Sequence, residues 1–84
     1  MIGFAALADP TRRRILEMLA TRELPAGEIA RRFDMTPPAV SQHLKLLRAA
    51  GLVQVRRDAQ RRIYALDLNG LAELDAWMAK FRRF

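Results

Sequence analysis

The chain has 84 residues, with 15 Lys or Arg against 9 Asp or Glu and a formal charge of +6. That is one domain near the small end of what folds alone, and basic enough to favour a polyanion such as DNA, RNA or an acidic membrane surface. It holds no cysteine, which excludes disulfides, thiolate metal sites and thiol redox sensing, and no run approaches the roughly 20 apolar residues of a membrane span.

In chain order, residues 2–8 read as a short apolar helix or arm carrying Ile2, Phe4 and Leu7. This opening lacks the basic leader of a signal peptide, so the expectation is a cytoplasmic protein. Asp9 and Pro10 restart the chain as N-cap and first helical residue. The helix they begin, over residues 10–20, buries Ile15, Leu16 and Leu19. Arg12, Arg13 and Arg14 make its first turns basic, against the helix dipole; they read as solvated charges or as phosphate contacts. Residues 22–24 are a connector able to form a very short strand. A third helix over 26–34 turns Ile29, Ala30 and Phe33 inward, and Asp34-Met35 makes a tight turn into the next.

That next helix runs from the N-cap Thr36 to Gly51, which can take the left-handed conformation that ends a helix. At about 100° per residue, Val40, Leu44 and Leu47 share one side, while Pro38, Ser41, Gln42, Lys45 and Ala49 share the other. The second face carries small residues, an amide, a hydroxyl and one cation, with no carboxylate. A DNA major groove accepts such a helix, and two short helices joined by a tight turn make a helix-turn-helix. After Gly51 the period changes. Residues 52–57 and 61–67 read as two strands joined by Asp58-Ala-Gln60, a β-hairpin or wing with Arg56, Arg57, Arg61 and Arg62 at its tip. The last helix, over 70–83, carries Leu71, Leu74, Trp77, Met78, Phe81 and Phe84 on an arc of roughly 140°.

The charge is unevenly spread. Residues 28–62 hold eight Arg or Lys against three acids, residues 1–27 four against three, and residues 63–84 three of each. Apolar residues make up 51% of the chain, more than one small core hides. A basic middle for DNA and apolar ends for self-association account for both facts. The fold class is therefore mainly α with a small β-hairpin: a winged helix-turn-helix of about five helices and a two-stranded wing. Residues 1–84 form one domain, with 26–51 as the helix-turn-helix, 52–67 as the wing, and 1–20 and 69–84 as dimerisation helices.

Four stretches together resemble the ArsR/SmtB family of bacterial winged-helix repressors: Ala6-Leu-Ala-Asp-Pro-Thr-Arg-Arg-Arg-Ile-Leu16, Gly27-Glu-Ile-Ala30, Pro38-Ala-Val-Ser-Gln-His-Leu-Lys-Leu-Leu47 and Ala50-Gly-Leu-Val53. Arg61-Arg-Ile-Tyr-Ala-Leu66 is similar to that family's second wing strand. The resemblance implies a homodimer built from the first and last helices, binding a pseudo-palindromic operator in double-stranded DNA. Two departures stand out. Metal sensors of the family often carry a Cys-x-Cys pair after the Glu-Leu that opens the third helix, whereas here Glu23-Leu24 precedes Pro25-Ala-Gly-Glu28. Others place Asp, His and Glu ligands along the last helix, which here has Glu73 and Asp75 but no His. No metal, cofactor or redox role is carried over; a small-molecule effector stays open, and autorepression needs none. Pro25 replaces the usual Ser or Thr cap, and the wing tip lacks a Gly.

Ser41 and Gln42 are the candidate base readers, since Gln can bond an adenine edge with both ends of its amide. Lys45 fits a phosphate, and Thr36 and Pro38 stand at a helix N-terminus whose free amides favour one. His43, the only histidine, projects onto the core boundary beside the DNA face and is also a candidate DNA contact, as a phosphate partner. The four wing arginines suit the minor groove or its edges. Ile2, Phe4, Leu7, Leu71, Leu74, Trp77, Met78 and Phe81 are the candidate dimer residues. Two other functions remain open: a protein-interaction module using the aromatic last helix, and RNA binding through the basic face. Nothing in the chain forms a nucleophile–base pair, so an enzyme is not expected.

Overall fold

Three capping side chains set where the longer helices begin. Asp9, Thr36 and Asp67 accept the backbone N–H of Arg12 at 3.1 Å, of Ala39 at 3.3 Å and of Asn69 at 3.0 Å. Each removes one of the unpaired donors of a first turn. The structure, a computed structural model, describes residues 2–82, Ile2 through its backbone alone. The expected apolar roles of Ile2 and Phe84 lie outside the described side chains.

The elements run α1 (Ile2–Ala6), α2 (Pro10–Leu19), β1 (Leu24–Pro25), α3 (Ala26–Arg31), α4 (Pro37–Ala49), β2 (Val53–Asp58), β3 (Arg61–Leu66) and α5 (Leu68–Met78), followed by a 3-10 turn at Ala79–Phe81. Among the described residues this is a winged helix-turn-helix of five helices and a hairpin, as expected. Three boundaries differ. The third helix stops at Arg31 rather than residue 34, leaving the turn to residues 32–35. The sheet has three strands in the order β1-β3-β2, because Leu24 and Pro25 pair with Tyr64 and Ile63; the short connector does become a strand. The last helix begins two residues early, capped by Asp67, and tightens after Met78.

The core is one cluster. Ile15 from α2, Ile29 from α3, Leu44 and Leu47 from α4, and Leu52 are fully buried, and Val53, Tyr64 and Leu74 close around them. Leu74, expected at a dimer face, is 7% exposed and belongs to this chain's own core. Phe4, Leu7 and Leu71 are partly buried against the same cluster.

Gly51 ends α4 at φ +76°. Its N–H reaches Arg48 O at 3.0 Å, and the Leu52 N–H reaches Leu47 O at 3.1 Å. That pair of hydrogen bonds, with Leu47 and Leu52 both buried, is a Schellman stop. Leu52 O then accepts the Asp67 N–H at 2.9 Å, joining the two ends of the wing. Gly70 of α5 lies directly on this junction: a Cβ there would stand 1.8 Å from Gly51 O and 2.7 Å from Gly51 C. Among the described residues no helix is long and apolar enough to cross a membrane.

Two outcomes follow from these contacts. On helix propensity alone, Gly70→Ala would stabilise by about 1 kcal/mol. Because the obstacle is backbone, urea unfolding will instead show a loss of about 1–3 kcal/mol. The second concerns acid. The Arg12 amide that Asp9 caps holds the Asp9 carboxyl below its ordinary value, assisted by His43. A carboxyl lowered on folding stabilises at pH above its ordinary range and loses that contribution as pH falls through the lowered value. Asp9→Asn, which still caps, will show a shallower loss of thermal stability than the parent below about pH 4.

Candidate nucleic-acid interface

The outward face of α4 is as the spacing predicted. Pro38, Ser41, Gln42 and Lys45 are exposed, while Val40, Leu44 and Leu47 are buried beneath them. Thr36 is exposed at the helix start with its hydroxyl committed to capping. Two residues were missed. Arg48 continues the row Ser41, Lys45, Arg48 at spacings of four and three, so it shares their face; the same periodicity that found Ser41 reaches it. Leu46 is 50% exposed on the flank toward α1.

The wing places its arginines by register. The Cα partners across β2 and β3 are Val53 with Leu66, Val55 with Tyr64, and Arg57 with Arg62 on one face; Gln54 with Ala65, Arg56 with Ile63, and Asp58 with Arg61 occupy the other. The first face carries the buried Val53 and Tyr64 and looks toward α4. The tip turns at Ala59, a non-glycine at φ +58°. Arg56 pairs with Glu23 at the start of β1, which raises the Arg56 pKa, and Arg61 pairs with Asp58 at 3.0 Å. Among the described residues, Arg57, Arg62, Lys45 and Arg48 have no carboxylate within 4.0 Å. Two arginines directly opposed across a hairpin repel, and no described carboxylate offsets Arg57 and Arg62.

Between α4 and β3 lies an open cleft of about 350 Å³ lined by Ser41, Lys45, Arg48, Arg62 and Tyr64. A second, lined by Arg48, Val55, Arg56, Arg57 and Arg62, shares two of those walls. Helix and wing thus form one cationic surface.

The arginines of α2 do something the sequence did not disclose. Arg12 Nε donates to Ala6 O at 2.6 Å, and Arg13 Nη1 donates to Leu7 O at 2.8 Å and Ala8 O at 3.3 Å. These are carbonyls at and just beyond the end of α1, which a five-residue helix leaves unpaired. Arg14 lies over the Phe33 ring, 5.4 Å from its centroid. Neither the solvated nor the phosphate reading describes Arg12 and Arg13. His43 sits inside this cluster: its Nδ1 is 3.4 Å from Arg12 Nη1 and 3.8 Å from Asp9 Oδ2. It is on the core boundary as expected, turned toward α2. Among the described residues no group of three His, Asp or Glu side chains is arranged to hold a metal.

Apart from Leu46, the exposed large apolar side chains among the described residues lie on α5 and the turn after it. Trp77, Met78 and Phe81 are 42%, 50% and 54% exposed. Trp77 meets Phe4 edge-on at 4.9 Å and Phe81 at 4.7 Å between ring centroids. α1 and α5 therefore present one aromatic ridge.

Relatives carry the same architecture. The family described as "Bacterial regulatory protein, arsR family" matches residues 9–55. The chain is 51% identical over 79 residues to the HTH-type transcriptional regulator Rv2034 of Mycobacterium tuberculosis, covering 94% of this chain and 74% of that one. It is 37% identical over 78 residues to the transcriptional repressor SdpR of Bacillus subtilis, covering 93% and 87%. A crystal structure of an ArsR family transcriptional regulator, RHA00566, superposes with a TM-score of 0.90 at 30% identity, covering 98% of this chain and 90% of that one. From the Asp9 cap through the exposed helix to Val55 in the wing, the chain belongs to the ArsR family of bacterial transcriptional regulators, DNA-binding proteins rather than enzymes.

Proposed function

We propose that the chain acts in the cytoplasm as a homodimeric repressor that reads a pseudo-palindromic operator. The observation that carries this reading is the carboxylate-free surface shared by α4 and the inner face of the wing. Ser41 and Gln42 would meet base edges, Lys45 and the amides after Thr36 would meet phosphates, and Pro38 would let the helix start approach closely. Arg57 and Arg62 would lie beside the minor groove. The aromatic ridge of Phe4, Trp77, Met78 and Phe81 supports a two-fold interface, with Leu7 and Leu71 behind it. Such a dimer would set two half-sites about one helical turn, or a small multiple, apart. The name of the Bacillus subtilis relative supports repression.

Selection from a random duplex pool, followed by anisotropy titrations at fixed salt, tests the reading. Gln42→Ala will lower discrimination between selected and scrambled duplexes about tenfold. Lys45→Ala will weaken both by the same factor, because a phosphate contact carries no sequence information. A chain that binds every duplex equally, with Gln42→Ala indistinguishable from the parent, would end the claim of specific recognition. Replacing Trp77 and Phe81 together by Glu will give a monomer in sedimentation and a large loss of operator affinity; a variant still dimeric places the interface elsewhere.

A further inference from the structure

A helix in the major groove and a wing beside the minor groove are separated by one strand of sugar–phosphate backbone. Whatever lies between helix and wing must therefore face that backbone. In this chain the intervening surface is the pair of clefts whose shared walls are Arg48 of α4 and Arg62 of β3. Tyr64, 7% exposed, closes the floor of one of them.

The hairpin register sorts the four wing arginines. By register Arg56 and Arg61 belong to the other row of the hairpin, and each has a carboxylate, Glu23 and Asp58, although Arg56 also lines the second cleft. Arg57 and Arg62 occupy the face turned toward α4, opposite one another. Arg48 and Lys45 face them from the helix. Among the described residues none of these four has a carboxylate within 4.0 Å. The chain thus neutralises the outer arginines internally and leaves four inner cations, held close to one another, to an external anion.

Resting on the DNA-binding reading, we infer that Arg48, Arg57 and Arg62 form a phosphodiester track. It seats the backbone strand that runs between the two grooves, with Arg48 as a phosphate-binding residue that neither base reading nor the wing motif includes. Arg56 and Arg61 contribute less, because binding a phosphate there first requires releasing a carboxylate. The track recognises charge and spacing rather than bases, so it acts on any duplex.

The test is the salt dependence of binding to a mixed-sequence duplex of about three helical turns, followed by anisotropy. Removing one phosphate interaction lowers the magnitude of the slope of log affinity against log salt by about 0.9. Arg48→Gln, Arg57→Gln and Arg62→Gln should each lower it by that amount per protomer bound, and Arg61→Gln by less. Arg82→Gln, remote in sequence and paired with Asp75, serves as the control and leaves the slope unchanged. All these side chains are exposed, and thermal melts confirm that the variants fold. An unchanged slope in Arg48→Gln, or an equal drop in Arg61→Gln and Arg62→Gln, overturns the track while leaving DNA binding intact. Absence of duplex binding by the parent chain at low salt overturns the DNA reading itself.

Discussion

The junction at Gly51 and Leu52 is the constraint on which the rest of the structure depends. Three elements meet there with no side chain between two of them. α4 ends because Gly51 takes a positive φ, and the Gly51 and Leu52 amides turn back to the Arg48 and Leu47 carbonyls. The wing begins and ends there, because Leu52 accepts the amide of Asp67. α5 docks there, because Gly70 lets its backbone touch that of Gly51. The end of α4, the root of the wing and the placement of the aromatic α5 meet at one backbone contact. A glycine inside a helix costs about 1 kcal/mol against alanine; here the cost is tolerated because the alternative is a displaced helix.

From that junction the hairpin register determines the electrostatics. Strand side chains alternate between faces, and a slip of one residue would exchange them. Val53, Val55, Tyr64 and Leu66 are needed on the side of the core, so the continuation of that row, Arg57 and Arg62, must face α4. Apolar packing at the base of the wing thus decides which arginines stand free at its tip. The outer row is then compensated by Glu23 and Asp58, which keeps the fold from carrying four unpaired cations in one short hairpin. The surplus charge is concentrated on a single side, where low-dielectric walls strengthen its field.

Much of this was legible in the residues. The caps Asp9 and Thr36, the stop at Gly51, the buried row of α4 and its polar counterpart all follow from local chemistry, and each is where spacing placed it. The sorting of the wing arginines was available in the alternation from Val53 through Val55 to Arg57, and Arg48 in the row from Ser41 through Lys45. Other features were not available. Gly70 reads as a helix boundary because glycine is a poor helix former, whereas its place is dictated by a contact nineteen residues away in sequence. The early cap at Asp67 displaced the helix start accordingly. Arg12 and Arg13 reach carbonyls that exist as unpaired acceptors only once α1 has folded back, and no pattern within α2 signals that. The turn at Ala59 adopts a left-handed conformation without the glycine that would announce it.

The Arg12 cluster then explains how the apolar ends and the basic middle can act as one body. Helices as short as α1 are unstable alone, and this one is held at its end by two arginines of α2. The same Arg12 guanidinium lies against His43 on α4, and Asp9 approaches the same ring nitrogen, Nδ1. α1, which shares the aromatic ridge with α5, is therefore joined to α4 by a polar bridge as well as by the core. A two-fold interface made through that ridge would fix the direction of α4 in both copies, and with it the separation of the two half-sites. The three arginines that look like a misplaced cationic turn at the start of α2 are thus better understood as structural connectors. The unpaired cations lie elsewhere: among the described residues, Lys45 and Arg48 of α4 and Arg57 and Arg62 of the wing have no carboxylate within 4.0 Å, whereas Arg56 and Arg61 are paired with Glu23 and Asp58.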